Sequence, residues 1–202
     1  MSVKIRLIIL LVVIAMLIVG FVANKFKQKT DAPVDVEIDQ SIFETKSIDE
    51  IWKIEENENF VVEMAKYIAE KCDYGYNMET LNDEQRVIYI TQALEMEVNN
   101  GGFSQFFFNS DGCFGNELVF SFEKIGATKT AELCKKAISI YGDEVPTDRD
   151  KREEILTPDD EKEEERIEKI LNECDDTFFE YEDDLVELNY QFIIKNKESF
   201  LE

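Results

Sequence analysis

Seven carboxylates fall within ten residues in the run Asp159-Asp160-Glu161-Lys162-Glu163-Glu164-Glu165-Arg166-Ile167-Glu168. Carboxylates at that density can exchange protons, hold calcium or magnesium, or imitate the phosphates of a nucleic acid. On a helix ten residues rise about 15 Å, which gives one negative charge per roughly 2 Å. Duplex DNA carries one per about 1.7 Å of axis. A second acidic run follows: Asp175, Asp176, Glu180, Glu182, Asp183, Asp184 and Glu187. The bland reading of such runs is a solvated helix face that aids solubility, and it stands beside mimicry on the sequence alone. The residues expected to meet a partner are Asp159, Asp160, Glu161, Glu163, Glu164, Glu165, Glu168, Asp183 and Asp184.

Other chemistries have less support. The 202 residues include no histidine. That excludes a Ser-His-Asp triad, a Cys-His dyad and a zinc site with histidine ligands. The four cysteines, Cys72, Cys113, Cys134 and Cys174, are far apart and form no C-x-x-C. They read as small, partly buried side chains of a reduced compartment, with two disulfides left open for an exported domain. Asp111-Gly112 and the acidic runs lack the calcium-loop pattern, and no glycine-rich phosphate loop is present. A non-enzymatic protein is therefore expected, with no catalytic residue, metal or cofactor. A hydrolase working through paired acids is the lesser alternative.

The charge is unevenly distributed. The chain has 45 acidic and 22 basic residues, a net −23. Residues 1–29 hold five bases (Lys4, Arg6, Lys25, Lys27 and Lys29) and no acid, so residues 30–202 carry 45 acids against 17 bases, a net −28. Such a field repels nucleic acid and attracts basic protein surfaces. A basic protein partner is expected, and no direct nucleic acid.

Leu7 to Ala23 is seventeen residues without a charge. At about 1.5 Å per residue it spans roughly 25 Å, the short end of a membrane-crossing helix. Phe21 spoils the small-x-small pattern of a cleavage site, so an uncleaved single-pass anchor is expected within residues 1–29. The flanking lysines and arginine are nearly balanced, which leaves its orientation undecided. Residues 30–46 read as a polar linker, where the alternation of Val34, Val36 and Ile38 leaves a short strand open.

Residues 47–202 read as an acidic, all-α domain of about six to eight helices. Ser47 and Glu50 have capping-box spacing. Phe60, Met64 and Ile68 make one apolar stripe, over a helix of roughly Asn59–Cys72. Asn82 is placed to cap a helix whose Val87, Ile90, Leu94 and Val98 face inward, with Tyr89, Ala93 and Met96 beside them. That helix is expected to stop at Asn99-Asn100-Gly101-Gly102 and a new one to start at once. A further helix is expected over Ala127–Tyr141 and a charged connection over Thr147–Thr157. Then come a helix opened by Pro158 and running to Cys174, and a last one over Tyr181–Phe200.

At the break, Glu97-Val98-Asn99-Asn100-Gly101-Gly102-Phe103-Ser104-Gln105-Phe106-Phe107-Phe108-Asn109 resembles the signature E-x-x-N-G-G-F-x-Q-F-F-x-N. That signature marks a helical domain family named after the C-terminal part of a DNA-mimic protein. The resemblance suggests a domain of about residues 57–176. It implies an acidic helical protein whose carboxylates imitate DNA phosphates and occupy a DNA-binding protein. It also leaves a homodimer open. No catalytic residue carries over, and the membrane anchor departs from the family's eponym. Within the motif, Glu97, Asn100, Gly101, Gly102, Phe103, Gln105, Phe106, Phe107 and Asn109 read as structural. The glycines turn the chain, the three phenylalanines pack back on the preceding helix, and Gln105 and Asn109 satisfy backbone ends near the turn. The rival is an immunity-type or cell-envelope factor with a hydrophobic groove, in which exposed Phe108 is an anchor and the two amides orient a ligand.

Overall fold

A computed structural model describes residues 45–142 and 144–201. The expected membrane span and the open strand of the linker lie outside the described residues. Among the described residues no helix is long and apolar enough to cross a membrane.

Eight α-helices, and no strand, form among the described residues. They are α1 (Ile48–Ile51), α2 (Asn57–Lys71), α3 (Asp83–Phe108), α4 (Leu118–Ile125), α5 (Thr128–Ile138), α6 (Arg149–Leu156), α7 (Glu161–Phe178) and α8 (Leu185–Lys195). Short 3-10 turns cover Met78–Thr80, Ser110–Glu117, Ser139–Tyr141 and Lys197–Phe200.

The helix starts follow local chemistry. Glu50 reaches back to accept from the Ser47 backbone N–H at 2.9 Å. Asn82 Oδ1 accepts from the Gln85 N–H at 2.9 Å and caps α3. Between α2 and α3 the chain reverses through Asp73, Tyr74 and Gly75, all in the left-handed region at φ 49°, 53° and 92°.

Helix α3 is the axis of the domain. Val87, Ile88, Tyr89, Ile90 and Thr91 are buried in succession, so no side of this stretch faces water. Helices α2, α4, α6 and α7 pack on it, α8 lies against α2, and α5 bridges α4 and α7. Phe60, Met64 and Ile68 enter the core from α2 as the stripe predicts, whereas Met96 is half exposed.

Three expected boundaries move. Thr147–Thr157 holds α6 instead of a connection, because Asp148 caps it and Arg152 pins it to the core. Pro158 precedes the helix it was expected to open, since Asp160 is the N-cap and α7 starts at Glu161. The last helix shrinks to α8, because Tyr181 is left-handed at φ 48° and Asp184 starts a fresh helix by accepting from the Glu187 N–H.

Candidate interaction site

The signature break is a sharp bend inside α3. Gly101 (φ −164°, ψ 23°) and Gly102 (φ 81°, ψ 178°) leave helical geometry, and the helix resumes at Phe103. The new start has backbone N–H groups with no helical partner. Asp175, from α7, supplies one: its Oδ1 accepts from the Phe103 N–H at 2.7 Å. The carboxylate sits so close that a Cβ on Gly102 would lie 2.3 Å from Asp175 Oδ2. Burial pushes the Asp175 pKa up, against the opposing pull of the Phe103 N–H.

Gln105 and Asn109 do not serve the backbone ends. Both side-chain amides donate to Glu97 Oε2, at 2.5 and 2.9 Å. Glu97 is only 9% exposed, and a buried carboxylate needs donors more than a helix end near water does. The two half-helices are thus tied across the bend by one acid and two amides. Asn99 ties the first half to the α7–α8 loop, donating to Tyr181 Oη at 2.7 Å. Asn100 is exposed.

The phenylalanines form a ring cluster. Phe103, Phe106 and Phe107 have no exposed surface. Phe103 meets Phe178 of α7 edge-on with ring centres 6.0 Å apart, and Phe107 meets Tyr141 at 5.1 Å. Phe108 is 37% exposed, but the Arg149 guanidinium lies 4.5 Å over its ring. Phe108 is thus exposed, as the groove reading expects, with a cation over one face of its ring.

One buried group, Arg152, and one half-buried group, Asp111, escape a reading of the sequence. Arg152 is 1% exposed and donates to four carbonyls: Phe107 O at 2.7 Å, Asn109 O at 2.8 Å, Pro146 O at 3.0 Å and Thr147 O at 2.8 Å. It closes the C-terminal end of α3, where the helix dipole favours a cation. In sequence it is one charge in a charged run, and nothing marks it as internal. Asp111 accepts from Tyr89 Oη at 2.9 Å. Burial raises its pKa, the Tyr89 bond opposes, and the nearby Glu97 charge raises it further. All four cysteines are free thiols, and three of them are buried.

The acids expected to meet a partner divide into two groups. Asp160 caps α7, accepting from the Lys162 and Glu163 N–H groups at 2.9 and 3.2 Å. Glu163 is held by Arg166 through contacts of 2.9 and 2.6 Å. Asp183 accepts from both the backbone N–H and the hydroxyl of Thr130 and so caps α5. Asp184 caps α8. These four are engaged within the fold. Glu161, Glu164, Glu165 and Glu168 stand exposed on the outer side of α7, and Asp159 is exposed just before the helix. The run of seven acids is therefore not one continuous ladder. The four exposed helical carboxylates span roughly 10 Å of rise, one per about 3 Å, near the 3.4 Å step of one B-DNA strand.

No curated protein and no solved structure matches the chain. A family match covers residues 79–196, more than half of the chain, from the 3-10 turn before α3 to the end of α8. Its range includes the bent helix, the aspartate that caps the bend, and the acidic outer side of α7. The chain belongs to the family described as DMP19-like protein.

Proposed function

We propose that this chain is a membrane-anchored, non-enzymatic interaction protein of the DNA-mimic type. The outer carboxylates of α7 engage a basic patch on a DNA-binding protein. The observation that carries this reading is the division of the acids. Asp160, Glu163, Asp183 and Asp184 are engaged internally, while Glu161, Glu164, Glu165 and Glu168 have no side-chain partner among the described residues. Their spacing along α7 approximates that of phosphates on one strand. Family membership supports the same partner class. The domain's large negative charge would steer a basic partner in and drive nucleic acid away. Anchoring rests on the apolar run Leu7–Ala23.

The test uses the full chain, tagged at its C-terminus and solubilised in non-ionic detergent. A basic partner retained at 50 mM salt should be lost at 300 mM and displaced by duplex DNA. Combining Glu161→Gln, Glu164→Gln, Glu165→Gln and Glu168→Gln should weaken retention by about tenfold or more, as the loss of several charge contacts does. A partner held equally at both salts, or equally well by the quadruple variant, would remove the mimic reading.

A further inference from the structure

A cleft of about 290 Å³ opens between α5 and the end of α7, on a different part of the surface from the acidic outer side of α7. Leu133, Phe178 and Leu185 give it an apolar lining, and the Tyr181 ring forms part of its wall. Tyr181 sits in the left-handed region at φ 48°, which a bulky residue rarely adopts. Its hydroxyl is fixed by the Asn99 amide at 2.7 Å, and its ring packs 5.4 Å from that of Phe178. The signature segment of α3 therefore holds one wall of this cleft in place, through a residue that the bend itself does not need.

The charges around the cleft are of both signs but not balanced. Glu132, Glu182 and Asp183 line it from the acidic side. Lys129 and Lys136 line it from the basic side, and Lys136 is already paired with Glu173 at 2.7 Å. Among the described residues that leaves one unpaired cation against three carboxylates, in a region of the chain whose net charge is −28. An anion would enter against this field. A flat cation fits it: the face stacks on an aromatic ring, the stem lies along apolar surface, and the edge reaches carboxylates. The guanidinium of arginine has all three properties, whereas the compact, strongly hydrated ammonium of lysine has less to gain from an aromatic wall.

We infer that this cleft is an anchor pocket for one arginine side chain of the protein partner. The inference rests on the basic-partner reading and deepens it. The exposed carboxylates of α7 supply long-range attraction, and the cleft supplies a single buried contact of the kind that fixes register in an interface. Asp183 has a double duty here, since it also caps α5 through Thr130. The variants that test the pocket are therefore Glu132→Gln and Glu182→Gln, at two exposed positions.

The probe is N-acetyl-arginine amide, titrated into the isotope-labelled full chain in non-ionic detergent, with backbone amide resonances followed by NMR. Saturable shifts are expected at residues 129–136 and 177–185. N-acetyl-lysine amide should bind at least threefold more weakly, and the combined Glu132→Gln and Glu182→Gln variant should weaken arginine binding at least fivefold. The pocket is overturned if these amides do not shift, if N-acetyl-norleucine amide shifts them equally, or if inorganic phosphate binds there instead. Equal binding of the arginine and lysine amides would overturn the assignment to arginine. Shifts confined to residues 161–168 would remove the pocket and leave the acidic surface standing. Saturable arginine binding beside a partner indifferent to salt would keep the pocket and remove the surface.

Discussion

Asp111 shows how the chain handles an acid that is half-buried. Burial and the Glu97 charge hold its folded pKa above its ordinary value of 3.8. The unfolded chain therefore gives up this proton at lower pH than the folded one does. The stabilising contribution is full below about 3.8 and is lost as pH rises through the raised folded value. Asp111→Asn keeps an acceptor for Tyr89 and removes the charge. Its melting temperature should exceed that of the parent at pH 8, and the gap should narrow as pH falls toward 4. A variant less stable than the parent at pH 8 would mean that the charged form is favoured in the fold. Nothing in the residue types around it marks this acid, because Asp111-Gly112 looks like any turn. Glu97 was legible as part of the motif, but its task was not. A lone glutamate on an apolar helix says nothing of the two amides, eight and twelve positions later, that will surround it.

At the scale of elements, periodicity was a sound guide wherever apolar side chains decide the outcome. The stripes of α2 and of α3 before the bend are buried as their spacing predicts, and the break falls at the glycine pair. Prediction failed where one polar contact decides. Helix α6 has Arg152 as its only fully buried side chain, so no stripe announces it. The division between α7 and α8 depends on a left-handed tyrosine and two aspartate caps. The bend offers a direct check. Gly102→Ala would strain a positive φ and push a methyl group into the Asp175 carboxylate. At φ 81° and ψ 178° the backbone lies in a region nearly reserved for glycine, which costs a side chain about 1–3 kcal/mol, and a lost cap adds about 1 kcal/mol. A loss of about 2–4 kcal/mol in urea unfolding is expected, against almost none for Ser104→Ala at an exposed neighbour. An unchanged midpoint for Gly102→Ala would mean that Asp175 does not depend on the missing side chain.

At the scale of the whole molecule the charge is polar along the chain, with five bases and no acid before residue 30 and a net −28 after it. The basic end flanks the apolar run, as expected of an anchor whose charged neighbours stay near lipid headgroups. If residues 7–23 hold the chain in a bilayer, alkaline carbonate should leave the full chain in the membrane pellet and release a version lacking residues 1–29. Full release of the intact chain would end the anchored reading. The bent helix also has a consequence in time. Its second half, Phe103–Phe108, is closed at the start by Asp175 and at the end by Arg152, side chains 72 and 45 positions removed from the groups they bind. A ribosome delivers the phenylalanines first. Until the later residues emerge, this greasy segment has neither end sealed, and it is the part of the nascent chain that most needs shielding from its neighbours.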